Sequence, residues 1–539
     1  MHGDDGLVRQ LMQPGVLPGS AGGVELIETH ISWVLLAGDH AWKLKKPLDL
    51  GFLDFSTLAR RRAACEDELR LNRRTAPELY EAVVPVLGTP QAPRLGSALE
   101  PGAADGPGPT AAPIDYLVRM HRFEQSALLS HLLAQGQLSP ALFDRLARHV
   151  ADFHAAAAVA DADAGFGTAD AVHAPVRQNF EQVRARSKDP AVLAELARVQ
   201  AWAEAQFALL RPVFEARLAA GRVRECHGDL HLGNLIVLDG EPRLFDAIEF
   251  SAALRWTDVV ADIAFLVMDL QARGRADLGW RFLNAWLERS GDYEGLRVLP
   301  YYLSYRAMVR AKVAAIRAAQ LDAAARDESL AECRRYLALA GAQAARATPA
   351  LLIACGVSGA GKSSQSQPLL EACGVIRVRA DIERKRLFGL DPDAASGSAL
   401  HAGLYSAEAT VRTYARLGEL ALAGVEAGYP VLVDATFLKR AQRFGFAELA
   451  DTLGVPFVIL AFDAPPALLR ERVRRRTEAG NDASEADLAV LESQLVAREA
   501  LEKGELERAL VVDTRSAPDW RALLPALARL WPGARAADH

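Results

Sequence analysis

The 539-residue chain is short of cysteine, lysine, long apolar runs and blocks of like charge. Its five cysteines, Cys65, Cys226, Cys333, Cys355 and Cys373, are scattered and form no C-x-x-C pair. That argues against a disulfide framework or a zinc site and fits a reducing compartment. No run of 18 apolar residues occurs, so no membrane-spanning helix is expected. The opening M-H-G-D-D-G-L-V-R-Q has early acids and no apolar core, so no secretory leader is expected and the implied compartment is the cytoplasm. Net charge is −6 without a dominant block, which speaks against a nonspecific nucleic-acid coat. Only nine of the 62 basic residues are lysine, at 43, 45, 46, 188, 312, 362, 385, 439 and 503. Where an arginine-rich chain keeps lysine, a compact ammonium suits the position better than a planar fork. Three of the nine fall within Lys43–Lys46.

The length calls for two or three domains. Residues 88–113, rich in Pro, Gly and Ala, read as a long surface loop between strand-like V-V-P-V and I-D-Y-L-V-R-M. Helical patterns fill 139–158, 190–220 and 274–340. A punctuated stretch near 338–350 then precedes five short apolar strands alternating with helices, at 351–355, 375–378, 431–434, 457–462 and 510–512. That alternation predicts an α/β domain with a parallel sheet, whereas the region before it reads as α+β in two lobes. The limits expected are 1–118 and 119–345 for the lobes and 346–539 for the α/β domain.

Gly356 to Ser363, G-V-S-G-A-G-K-S, matches G-x-x-x-x-G-K-[ST] between an apolar strand and a helical run. Composition alone gives roughly 0.05 occurrences of its G-x4-G-K core, so coincidence is a weak account. Such a loop wraps phosphates with backbone N–H groups, here around Gly356, Gly359 and Gly361. Lys362 would reach the β- and γ-phosphates of ATP and Ser363 would ligate Mg²⁺, with Ser364 beside it. Asp434, closing V-L-V-D, would hold the metal through water. Asp381, at the carboxyl end of the second strand, reads either as a base for a substrate hydroxyl or as a helix N-cap. The arginines of R-E-R-V-R-R-R, 470–476, read as a lid that neutralises a transferring phosphoryl group, as a nucleic-acid contact or as a plain charged helix.

A second phosphoryl-transfer pattern lies earlier, in C-H-G-D-L-H-L-G-N, Cys226 to Asn234. Asp229 and Asn234 have the Asp-x4-Asn spacing of a kinase catalytic loop, a base followed by a metal-binding amide. The following L-I-V-L, D-G-E-P and R-L-F-D predict a hairpin whose paired residue numbers sum to about 480. Asp246 then falls almost opposite Asn234, and the two converge as Mg²⁺ ligands. A phosphate-binding lysine is expected on the hairpin I-S-W-V-L-L-A-G-D-H-A-W-K-L-K, turning at Gly38-Asp39. Lys43 and Lys45 share one face, with Lys43 favoured for its A-x-K setting and Glu68 preferred over Glu66 as its partner. The competing reading is an exposed edge strand guarded by charge.

H-G-D-L-H-x-G-N followed by F-D-A-I-E-F resembles the aminoglycoside phosphotransferases and related small-molecule kinases. D-Y-L-V-R-M, 115–120, resembles their interlobe hinge, and W-T-D-V-V-A-D-I-A-F-L, 256–266, the helix after their metal-binding strand. The P-loop half resembles gluconate-kinase-like, zeta-toxin-like and polynucleotide-kinase-like proteins. Together, over roughly 25–515, the chain resembles bacterial two-domain fusions of an aminoglycoside phosphotransferase-like domain to an ATP-binding domain. The resemblance implies a protein-kinase-like N-terminal fold, a C-terminal P-loop fold, and two ATP- and Mg²⁺-dependent transfers to small hydroxylated molecules. No G-x-G-x-x-G covers the phosphates, and Phe245-Asp246-Ala247 stands where protein kinases carry D-F-G, so peptide acceptors are not expected. The alternatives are that one domain senses nucleotide to regulate the other, or that the P-loop domain acts on a nucleic-acid 5′ end.

Overall fold

A computed structural model describes residues 5–51, 53–99, 112–319, 321, 323–345, 348–394, 404, 406–479 and 484–534. The chain forms two compact units, Met1–His173 with Phe214–Leu266, and Ala174–Val213 with Val267–His539. Helices beyond residue 267, which the sequence suggests belong with the catalytic loop, therefore group with the parallel sheet.

In the first unit the strands build an antiparallel sheet that is largely buried on both faces. Its strands are β1 Glu25–Glu28, β2 Ser32–Ala37, β3 His40–Lys45, β4 Tyr80–Thr89, β5 Ala92–Leu95 and β6 Asp115–His121, ordered β1-β2-β3-β6-β4-β5. The β2–β3 hairpin turns at Gly38-Asp39, with Val34 opposite Lys43. One face buries Trp42 and Leu44 with Leu35, Val84 and Leu117. The other packs Tyr80, Val83 and Val118 against Cys65 and Leu69 of the helix Leu58–Asn72, which Thr57 caps by accepting from the Arg60 N–H. The long loop begins later than its composition suggests: β4 and β5 pair from Val86↔Leu95 to Thr89↔Ala92, and residues 100–111 of it lie outside those described. The hinge-like D-Y-L-V-R-M is strand β6, between β3 and β4, and the chain leaves the sheet after His121.

Two small ribbons carry the catalytic-loop region. β7 Val223–Glu225 pairs with β10 Trp256–Asp258, and β8 Leu235–Leu238 pairs with β9 Glu241–Leu244. The β8–β9 turn places Asp239 (φ 50°) and Gly240 (φ 79°) in the left-handed region, as a two-residue Asp-Gly hairpin requires. Leu235 faces Leu244, so the paired numbers sum to 479.

The second unit holds a parallel sheet of β11 Leu351–Cys355, β12 Ile376–Arg379, β13 Val431–Asp434, β14 Phe457–Asp463 and β15 Ala509–Asp513, ordered β12-β13-β11-β14-β15. The inner strands are continuous apolar runs because helices cover both faces. These five strands fall where the sequence pattern places them. Helices Ala276–Ser290, Leu299–Ala318 and Ala323–Ala342 belong to the same unit; the helix Ala169–Arg186, which spans the unit boundary, has no counterpart in the sequence reading.

The open edge of β12 is not left bare. Asn284, 1% exposed on the helix Ala276–Ser290, donates Nδ2 to the Val375 carbonyl at 3.0 Å and accepts from the Arg377 N–H at 2.7 Å. One amide side chain thus meets a donor and an acceptor that a neighbouring strand would otherwise satisfy. Among the described residues no helix is long and apolar enough to cross a membrane.

Candidate active sites

The first site assembles where the helix Leu58–Asn72, strand β3 and the turn after β9 meet. Lys43 Nζ lies 2.8 Å from Glu68 Oε1 and 2.6 Å from Asp246 Oδ1, a partner 203 residues away. Lys45, with no exposure, pairs with the second Glu68 oxygen and with Glu249. The exposed-edge reading of these lysines is therefore overturned: β3 lies between β2 and β6, and both ammonium groups are buried. Glu66 instead pairs with Arg62. Burial pushes the Glu68 carboxyl up, but the two ammonium groups outweigh it and hold Glu68 below the usual carboxylate range. Burial leaves Glu249 raised, so of the carboxylates on Lys45, Glu68 holds its charge more firmly.

The catalytic-loop residues are fixed by backbone contacts. Asn234 donates Nδ2 to both the carbonyl and Oδ2 of Asp229, each at 3.0 Å. His231 Nε2 stands 3.5 Å from the same Oδ2, and the Asp229 side chain is 36% exposed, open to a substrate. The Phe245 N–H donates to the Asn234 carbonyl, so the residue opposite Asn234 is 245 and Asp246 comes one step later. Asp246 itself has φ 60°. Its N–H donates to the Tyr80 hydroxyl and the next N–H donates to Asn72 Oδ1, which holds that strained turn in place. Asn234 and Asp246 together offer an amide and a carboxylate, oxygen donors of the hard type Mg²⁺ prefers.

Several residues of this site were not singled out by the sequence. Asp262, fully buried, accepts from the N–H groups of His227 at 3.1 Å and Gly228 at 2.8 Å, pinning the loop just before Asp229. The buried His227 ring donates Nε2–H to the Phe245 carbonyl at 2.8 Å and accepts at Nδ1 from the Asp229 N–H at 3.3 Å. One imidazole thus ties Asp229 to the residue before Asp246, and burial lowers its pKa to keep it neutral. Asp262 and Glu249 both lie inside the quoted motifs, and Asn72 lies one helical turn after Glu68; only their roles were illegible.

The second site lies at the carboxyl ends of the parallel strands. Gly356 (φ 152°) passes so close to β14 that a Cβ there would sit 2.6 Å from the Phe462 carbonyl oxygen. At Gly359 (φ 80°) a Cβ would meet the Leu469 carbonyl oxygen at 2.9 Å, and Gly361 has φ 81°. The loop therefore accepts no side chain at these turns, which is the shape of a backbone phosphate cradle. The half-buried Lys362 ammonium follows the loop, donating to the carbonyls of Gly356 at 3.0 Å and Val357 at 3.2 Å. Burial lowers its pKa against the opposing pull of Asp434 and Asp381, so both carboxylates reach it electrostatically. Ser363 Oγ donates to Asp434 Oδ2 at 2.5 Å, a hydroxyl and a carboxylate side by side, again a hard-oxygen pair fit for Mg²⁺. Ser364 Oγ turns back to the Gly361 carbonyl at 3.3 Å.

Asp381 is not an N-cap: that place belongs to Arg379, and Asp381 lies inside the first turn of the helix Ala380–Leu387, 3.4 Å from Arg384. Among the lid arginines, Arg470 pairs with Glu492 and Arg475 with Glu471. Arg472 donates to the Gly359 carbonyl at 3.4 Å, and the charge of Arg476 reaches Lys362.

Comparison with known proteins follows this division. The phosphotransferase enzyme family matches residues 53–299, and an AAA domain family matches residues 351–501. Uncharacterized proteins of Mycobacterium tuberculosis and Mycobacterium bovis are 30% identical over 478 residues, covering 88% of this chain and 90% of theirs. Among solved structures, a sugar kinase from Janibacter sp. is 23% identical over 35% of this chain and 99% of its own, with a TM-score of 0.28. A choline/ethanolamine kinase family protein from Mesorhizobium loti is 13% identical over 63% of this chain and 99% of its own, with a TM-score of 0.35. A gluconokinase from Sinorhizobium meliloti is 26% identical over 35% and 91%, with a TM-score of 0.23.

Two outcomes follow from the buried charges of the first site. Lys45→Met strands Glu249 and should destabilise the unit by about 3–5 kcal/mol, whereas the pair Lys45→Met/Glu249→Met should recover most of the loss in urea unfolding. For His227 the folded pKa lies below the ordinary 6.5, so on acidification the unfolded chain takes its proton first. Its stabilising contribution is full above about pH 6.5 and is lost as pH falls toward the folded value. Unfolding free energy measured between about pH 5 and 8 should fall more steeply in the wild type than in His227→Gln.

Proposed function

Because this chain belongs to the family of two-domain proteins that joins a phosphotransferase domain to a P-loop AAA domain, we propose that it is a tandem ATP-dependent kinase acting on small hydroxylated molecules. The observation that carries the reading is Lys43, held at once by Glu68 and Asp246. That contact brings the phosphate-binding lysine, its orienting acid and a metal-binding carboxylate to one point.

In the N-terminal half Lys43 binds ATP phosphates and Asp229 accepts the proton of the acceptor hydroxyl. As that oxygen bonds to the γ-phosphorus, the bond to the β,γ-bridging oxygen breaks and ADP leaves. Asn234 and Asp246 would hold Mg²⁺, which when bound neutralises charge on the β- and γ-oxygens. Asn234 also donates to Asp229, which orients the carboxylate.

In the C-terminal half the loop Gly356–Ser363 binds a second ATP, with Ser363 and Asp434 as the metal pair. Asp381, in the first turn after β12, serves as base for a second small hydroxylated substrate. Arg472, 3.4 Å from the Gly359 carbonyl, and Arg476, whose charge reaches Lys362, are the arginines assigned to the transferring phosphoryl group.

Asp229→Ala should lower turnover of a substrate phosphorylated by the N-terminal half by about 10²–10⁴-fold; unchanged turnover in a γ-labelled ATP assay would remove the base assignment. Lys362→Ala should cut the ATP bound by the full chain from about two equivalents to about one at concentrations that saturate the wild type. Equilibrium dialysis that still finds about two would reject the P-loop assignment.

A further inference from the structure

The helix Ala276–Ser290 lies within the residues that match the phosphotransferase family, yet it is built onto the edge of the P-loop sheet. One turn beyond Asn284 on the same helix comes Glu288. Its carboxylate accepts from Arg377 Nε at 2.9 Å and pairs with Arg379 Nη1 at 3.5 Å. Burial pushes the Glu288 carboxyl up, but the two guanidinium groups outweigh it and keep it below the usual carboxylate range. The Tyr293 hydroxyl, just past the helix, donates to the Arg377 carbonyl at 3.2 Å, and Arg386 returns from the next helix to the Glu288 carbonyl at 2.6 Å.

Arg377 does not end at Glu288. Its Nη1 donates to the Ser363 carbonyl at 2.8 Å, in the first turn of the helix Lys362–Cys373. Ser363 is the residue whose hydroxyl lies 2.5 Å from Asp434. A chain of contacts thus runs from Glu288 through one guanidinium to the backbone of the proposed metal ligand. A planar fork can address a carboxylate on one side and a carbonyl on another; a lysine ammonium at this position lacks that fixed double reach. Two residues along β12 from Arg377, Arg379 bears on the same carboxylate and stands at the N-cap position of the helix that carries Asp381.

We propose that Glu288 and Arg377 are positioning residues of the P-loop site, holding the first turn of its helix so that the Ser363 hydroxyl and Asp434 stand ready for Mg²⁺. This rests on the reading of Ser363 and Asp434 as the metal pair. The pair acts through the Ser363 backbone, to whose carbonyl Arg377 donates. A residue within the phosphotransferase match thereby completes a site in the AAA match.

The test is ATP binding to the full chain as a function of Mg²⁺ concentration, the P-loop class of sites being the one lost in Lys362→Ala. Glu288→Gln and Arg377→Lys should each raise the Mg²⁺ concentration for half-maximal tightening of ATP by about tenfold. ATP affinity in EDTA should stay within about twofold of wild type, and Glu288→Asp should restore part of the Mg²⁺ response. An unchanged Mg²⁺ response in either folded variant overturns the proposal. So does an equal loss of affinity with and without Mg²⁺, which marks a merely structural role. Ser363→Ala and Asp434→Asn separate the two levels. If neither alters the Mg²⁺ response, the metal-pair reading has failed and the proposal falls with it. If they do and the Glu288 and Arg377 variants do not, the relay alone is wrong.

Discussion

A carboxylate with no access to water must be paired, and Glu68 is paired twice. Lys43 and Lys45 reach it from alternate positions of β3, and each brings a second acid, Asp246 or Glu249, from the far end of the unit. Sheet, helix and the turn after β9 therefore cannot close independently, because leaving any one open would strand a buried charge. The same requirement explains why the lysines are lysines. A compact ammonium fits between two carboxylates in a closed space where a guanidinium fork would need more room and more donors satisfied.

The two sites meet the problem of binding phosphate in different ways. The first relies on side chains drawn from distant segments, so its geometry is only as good as the tertiary fold. The second relies on a contiguous loop whose glycines let backbone press against β14 and the helix Pro466–Ala479. This difference is visible in what surrounds each. Tyr80, Asn72, His227 and Asp262 all serve to fix the first site, whereas the phosphate cradle of the second is written into eight consecutive residues.

That contrast also governs how much could be read in advance. The P-loop, the five parallel strands and the β8–β9 register were legible because each is local: a motif, an apolar period, a turn with its arithmetic. Lys43 was legible through its hairpin neighbours and the scarcity of lysine elsewhere. Glu249, Asp262 and Tyr80 were not, since nothing in the sequence near them states which distant atom they face. The N-cap reading of Asp381 failed for a related reason: the helix begins at Ala380, directly after β12 and two residues too early to leave Asp381 at its N-cap. The pairing of β4 with β5 was hidden by a composition that says loop, though pairs of residues flanking Thr89–Ala92 still find one another. Asn284 was the least legible of all: an amide on a helix standing in for a strand leaves no periodic trace.

The backbone at Asp246 has one more consequence. Its left-handed conformation discriminates among side chains before any chemistry is asked of them. Glycine would relax the turn but carries no oxygen; glutamate carries the oxygens but tolerates the conformation poorly. Aspartate and asparagine are the side chains that visit this region most readily, and of these only aspartate bears a charge for Lys43. Conformation and charge thus select the same residue by independent criteria, so the position is specified twice over.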